Sequence, residues 1–138
     1  LGDVYKRQYL WQAVANYVLE RKIDILFGVA SFHGTDVSEL AEPLSLLHYH
    51  YLAEESLRPV AKKPFNQKMN LLKPDEIDRK LAVLKMPALI KSYLRLGGKV
   101  GLDAYVDHQF NTTDVCLVMD TSVISNKKKS FFVQGELK

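Results

Sequence analysis

Cysteine is nearly absent: Cys116 is the one thiol in 138 residues. An internal disulfide is therefore excluded, and a reducing cytosol suits such a chain. Long hydrophobic runs are missing too, since none approaches the ~20 residues that a membrane-spanning helix needs. Metal-binding patterns are equally scarce. Four histidines occur, but with no Cys pair and no HExxH among them, and no bound metal is expected. The seven glycines form neither a P-loop nor a dinucleotide-binding fingerprint, and no serine sits in a nucleophile elbow. Excess charge is small, with 19 Lys and Arg against 16 Asp and Glu, for a net of +3. Aromatic residues do not interleave with the basic ones as a nucleic-acid stacking platform requires, so no nucleic-acid partner is expected.

What remains is an ordinary globular composition, 47% hydrophobic and 25% charged, long enough for one domain with a sizeable core. The basic residues cluster. Arg58, Lys62, Lys63, Lys68 and Lys73 fall in one segment, followed by Arg79, Lys80, Lys85, Lys91, Arg95 and Lys99. Such a cluster is either a solvated face or a surface that steers an acidic partner. Cys116 sits in an apolar run and reads as a small buried hydrophobe.

The N-terminus is unusual. Asp3-Val4-Tyr5-Lys6-Arg7-Gln8 reads as the translation of a sequencing-library transposon adapter, GAT GTG TAT AAG AGA CAG. Residues 1–8 are therefore expected to be foreign, and the natural protein is expected to begin upstream of Tyr9. From Tyr9 to Arg21, Leu10, Trp11, Val14, Tyr17 and Val18 lie on one helical stripe. Ile23 to Phe32 is a nearly unbroken apolar run, the pattern of a strand buried on both faces. A helix feeding such a strand is half of a parallel crossover, which predicts an α/β class with helices on a mixed sheet. Beyond the strand, Asp36 with Glu39 can cap a helix running through Leu47, with a kink at Pro43. Residues 54–74 read as loop or short turns. A helical stretch from Pro74 or Asp75 is interrupted at Pro87, and a further helix to Leu96 stops at Gly97-Gly98. Strands are expected over Lys99–Asp107 and Thr113–Asp120, joined by a turn at His108–Thr112. A Lys-rich tail, 121–138, carries Lys127-Lys128-Lys129 and Phe131-Phe132-Val133.

Two polar clusters point to chemistry. Ser31, His33, Thr35 and Asp36 close the buried strand, where ligands of open α/β sheets bind. Asp107, His108, Asn111, Thr112 and Asp114 crowd the later turn. Carboxylates there could receive an ammonium, a histidine could move a proton, and hydroxyl and amide groups could orient a substrate. Each residue also has a purely structural reading: Asp36 as a helix cap, Asn111 and Thr112 as turn formers. His48-Tyr49-His50-Tyr51 is conspicuous, but side chains two apart on a helix point in different directions and cannot share a metal.

Four strings carry a resemblance: Leu10-Trp11 with its helix, Leu26-Phe27-Gly28-Val29-Ala30-Ser31-Phe32-His33-Gly34-Thr35-Asp36, Pro43-Leu44-Ser45-Leu46-Leu47-His48-Tyr49-His50, and Phe110-Asn111-Thr112-Thr113-Asp114-Val115. The chain resembles the N-acyltransferases that acylate ornithine from an acyl carrier protein, within the wider GNAT-like, haemolysin-like acyltransferases. The resemblance implies that residues 9–120 are the C-terminal part of a GNAT-like domain, with an insertion at about 37–86. It implies transfer of a 3-hydroxyacyl group from the acyl-phosphopantetheine of the carrier protein to the α-amine of L-ornithine, with no tightly bound cofactor. Asp36, His108 and Asp114 would then be catalytic. Ser31, His33, Thr35, Asp107, Asn111 and Thr112 would bind substrate. The protein would be cytoplasmic, with anionic membrane as a further partner for the basic cluster. Phosphopantetheine-binding parts would lie upstream, so the chain alone is expected to be inactive. The rival readings are a related acyltransferase with another amine or lipid acceptor, and a non-catalytic module that docks carrier protein or membrane.

Overall fold

A computed structural model of the chain describes residues 2–123. The end of the tail, from residue 124, including the Lys and Phe clusters, lies outside the described residues. Two compact units divide the chain: one comprises the residues up to Leu26 and those from Asp120 on, and the other is Phe27–Met119.

In the first unit, α1 spans Gly2–Arg21. The helix is longer than the stripe from Tyr9 predicts, because residues 2–8 are helical as well. Trp11, Val14 and Val18 are partly buried around a buried Ala15, whereas Leu10 and Tyr17, placed on the same stripe by spacing, are exposed. Thr121 closes this unit by donating its amide to Asp24 O and its hydroxyl to Ile23 O, at 2.8 and 2.7 Å.

The larger unit is α/β. Its elements are β1 (Ile25–His33, entering from the first unit), a 3-10 turn at Val37–Leu40, α2 (Ala41–His50), β2 (Asn66–Gln67), α3 (Arg79–Lys85), α4 (Ala88–Arg95), β3 (Lys99–Val100), β4 (Ala104–Asp107) and β5 (Thr112–Asp120). The sheet runs β1-β5-β4-β2, with β3 also on β5. The expected parallel crossover is corrected here. β2 on β4, β3 on β5 and β4 on β5 are all antiparallel. β1 runs against β5 as well: contacts that climb β1 from Ser31 to Gly34 descend β5 from Asp114 to Asn111. Parallel pairing is confined to two isolated bridges, Leu52 with Val100 and Val60 with Leu102.

Nor is β1 buried on both faces. Ala30 and Phe32 enter the core, while Phe27 and Val29 remain 76% and 67% exposed. The run is apolar on both sides, but only one side meets the core. There Phe32, Leu44, Leu47, Ile90, Val115 and Leu117 pack together, each large side chain contributing roughly 1.5–3 kcal/mol by leaving water. Ser45, fully buried, accepts from Leu72 N and donates to Met69 O, tying the long 51–78 connection to α2.

Local signals explain most boundaries. Pro43 causes no kink, because it falls in the first turn of α2, where backbone N–H groups have no helical partner anyway. Asp78 caps α3 by accepting from Leu81 N, and Pro87 is the N-cap of α4. Gly97, at φ +97, ends that helix, and the Gly98 amide bonds back to Tyr93 O. The single strand expected over Lys99–Asp107 is broken. From Val100 to Tyr105 the chain advances five residues, while its partner on β5 moves only from Leu117 to Asp114. The two extra residues fall within a bulge at Gly101–Asp103, with Asp103 at φ +65. The 54–74 segment, expected as loop, adds β2 to the sheet beside β4.

Candidate functional site

The sheet face opposite the core carries the polar residues. Alternation puts Phe27, Val29, Ser31 and His33 on that face of β1, and Thr112, Asp114 and Cys116 on that face of β5. Ser31 Oγ donates to Asp114 Oδ1 at 2.6 Å, and Thr112 Oγ1 donates to the same oxygen at 2.8 Å. One carboxylate oxygen thus takes both hydroxyls. Among the described residues the other accepts no hydrogen bond, and an ammonium donating to it would make a short, charge-assisted pair.

Other expected site residues are placed around this centre rather than in it. Thr35 Oγ1 reaches Asn111 Oδ1 at 3.5 Å, and the Gly34 amide bonds Asn111 O at 2.8 Å. Asn111 turns the chain at φ +54. Asp107 accepts from Phe110 N at 3.0 Å and closes the same turn. His108 sets its ring edgewise on Phe65, 5.6 Å between centroids, so the 51–78 connection reaches this corner. Asp36 is exposed and caps the 3-10 turn, accepting from Ser38 N at 3.1 Å and Ser38 Oγ at 2.6 Å. Both bonds fall on Oδ1, as the capping reading foresees.

Beside Asp114 lies an apolar groove of about 230 Å³. Val29 and Cys116 lie on its floor, Pro59–Ala61 and the Gly101–Asp103 bulge also line it, and Tyr105 and Asp114 stand at its polar part. The Pro59 segment is held by Leu102 N donating to Pro59 O at 2.8 Å and Ala61 N donating to Leu102 O at 3.1 Å. Gly101 permits this approach, since a Cβ there would stand 2.6 Å from Pro59 O. Cys116 is therefore not the core residue its apolar run suggests; it is half-buried in the groove, and burial pushes its thiol up. Such a thiol stays neutral at neutral pH and makes a poor nucleophile.

Reasoning from sequence missed this groove and Thr113, a fully buried residue whose hydroxyl donates to Gly34 O at 2.8 Å and ties the β1 exit to β5. The two-residue alternation Thr112, Asp114, Cys116 was the available signal. His48 and His50 both lie on α2. His48 packs against Tyr49, ring centroids 4.9 Å apart, and its Nδ1 is buried with no hydrogen-bond partner among the described residues. Among the described residues no group of three His, Cys, Asp or Glu could hold a metal, and no helix is long and apolar enough to cross a membrane.

This α/β chain is similar in sequence to proteins named as amino-acid acyltransferases. The relatives are specific. Over 125 residues, 91% of the chain, it is 55% identical to the L-ornithine N(alpha)-acyltransferase of Rhodobacter capsulatus. Over the same length it is 37% identical to the proteins of that name from Brucella abortus and Agrobacterium fabrum. These matches agree with the resemblance carried by the Leu26–Asp36 and Phe110–Val115 strings. The chain spans just under half the length of these relatives, 48%, 44% and 43% respectively. No protein-family model and no solved structure matches it.

Proposed function

We propose that the chain is part of an ornithine N-acyltransferase of GNAT-like fold. It transfers a 3-hydroxyacyl group from acyl carrier protein to the α-amine of L-ornithine. The observation that supports this best is Asp114, with one oxygen held by Ser31 and Thr112 and the other without a hydrogen bond among the described residues, on the sheet face away from the core. Ornithine brings two amino groups and one carboxylate. In this reading the free Asp114 oxygen receives the side-chain ammonium and orients the α-amine, while Thr35 and Asn111 bound the amino-acid pocket. The α-amine must lose a proton before it attacks. His33, on the Ser31 face of β1, and His108, in the turn that leads into β5, are the two candidates to take it. The amine lone pair attacks the thioester carbonyl carbon, the C–N bond forms and the C–S bond breaks. The amine proton passes through the base to the departing phosphopantetheine thiolate.

The basic residues fit an acidic carrier protein. Lys62 and Lys63 are exposed and directly follow the groove wall at Pro59–Ala61. An amphiphilic product favours release at an anionic membrane face on the cytoplasmic side. The test replaces the matching segment of the Rhodobacter capsulatus relative with this chain and supplies ornithine and 3-hydroxyacyl carrier protein. Formation of N-(3-hydroxyacyl)ornithine by mass spectrometry is the expected result. A folded hybrid that acylates a different amine, or none, would contradict it. Within the hybrid, loss of the acidic limb of the pH–rate profile in either His33→Gln or His108→Gln identifies the base.

A further inference from the structure

We infer that the apolar groove between Val29, Cys116 and the Pro59–Ala61 segment binds the aliphatic chain of the acyl group. The inference rests on the acyltransferase reading above and adds a location and a selectivity to it. Three observations carry it. The groove is apolar, with Val29 on its floor and Val60 on its wall left 67% and 61% exposed, which is costly for a surface that none of the described residues covers. Asp114 is among its lining residues, and its second oxygen, without a hydrogen bond among the described residues, suits a cationic head. Its shape is built rather than accidental: the strand bulge at Gly101–Asp103 and the bare Cα of Gly101 let the Pro59 segment close one wall.

A ligand that fits all three has a positively charged head, a polar link and an aliphatic tail, which describes an N-acylated diamino acid. An apolar cavity of ~150 Å³ accepts a benzene. By that ratio, 230 Å³ takes on the order of eight to ten chain carbons. The groove thus acts as a short ruler. Carbons beyond its length gain little, and a charge placed on its floor abolishes the preference.

Cys116, the chain's one thiol, reports on occupancy. The whole chain is alkylated with iodoacetamide in the presence of L-ornithine, N-acetylornithine, N-hexanoylornithine, N-octanoylornithine or N-decanoylornithine. The expected result is no protection by ornithine or the acetyl compound. With the longer chains, the concentration giving half-maximal protection falls two- to fourfold per added CH₂ until the groove is full. Val29→Arg, at an exposed position, removes protection without shifting the melting temperature, and Val29→Leu keeps it. Equal alkylation with every ligand would overturn the inference. So would a thiol that is already shielded in the free chain, by its own tail or by a second copy at high concentration. N-decanoylglycine separates the two claims: protection equal to that of N-decanoylornithine supports the groove but removes ornithine recognition from Asp114. Conversely, an active hybrid whose chain-length preference is untouched by Val29→Arg overturns the groove and leaves the ornithine reading standing.

Discussion

Single side chains in this molecule separate into those committed to the fold and those left open. Asp36 and Asp114 both looked catalytic by sequence, each an acidic residue in a polar string after a hydrophobic run. The geometry distinguishes them. Asp36 takes both of its bonds, on Oδ1, from Ser38 two residues on, as a cap does, whereas Asp114 joins hydroxyls of two strands, Ser31 of β1 and Thr112 of β5, on the sheet face away from the core. Asp36→Asn, which keeps a capping oxygen, is expected to leave stability within about 0.5 kcal/mol and turnover of the hybrid within about twofold. A hundredfold fall in turnover at unchanged stability would make Asp36 part of the chemistry. Cys116 yields a second prediction at this scale. Burial raises its pKa in the folded chain, so the folded state holds its proton more tightly than the unfolded one. Stability from this group is fully present below the ordinary thiol pKa and declines as pH rises through the folded value. The alkylation rate of the native chain against pH should therefore rise at a higher midpoint than that of the chain in denaturant. Coincident midpoints would place Cys116 in open solvent.

At the scale of elements, the helices were legible and the sheet less so. The α3–α4 break at Pro87, the stop at Gly97-Gly98 and the turn at His108–Asn111 follow from residues whose backbone preferences are strong on their own. β2 was not legible, because Asn66 and Gln67 have no strand preference. They become a strand only because Val106 N finds Phe65 O and the segment is laid beside β4. The break between β3 and β4 was hidden for a similar reason. It depends on Pro59, some forty residues earlier, pairing with Leu102, and no local pattern encodes that. The apolar run of β1 misled in the opposite direction: its composition suits burial on both faces, but the described residues cover only one. Gly101→Ala tests how much the groove wall depends on this arrangement. The added methyl meets Pro59 O at 2.6 Å, and backbone must move to admit it. A loss of about 1–3 kcal/mol in denaturant unfolding is expected, together with faster Cys116 alkylation as the wall lifts. Unchanged stability and alkylation would show that the Pro59 segment does not rest on Gly101 in solution.

Across the larger unit, a sheet with one face packed on helices and the other carrying a carboxylate, hydroxyls, histidines and an apolar groove has a division of labour. The core face holds the strands in register. The open face assembles, from β1, β4, β5 and the 51–78 connection, groups that are far apart in sequence. The proposed function assigns to Asp114 the binding of an amino acid with a second ammonium. Its most direct test is the ornithine dependence of the hybrid enzyme with Asp114→Asn, a change that keeps shape and hydrogen bonding but removes the charge. The expected result is a fall in kcat/KM for ornithine on the order of 10–100-fold, equivalent to the ~1.5–3 kcal/mol of a charged hydrogen bond, with the KM for the acyl donor and the melting temperature unchanged. An unaltered kcat/KM for ornithine in a well-folded Asp114→Asn hybrid would contradict it.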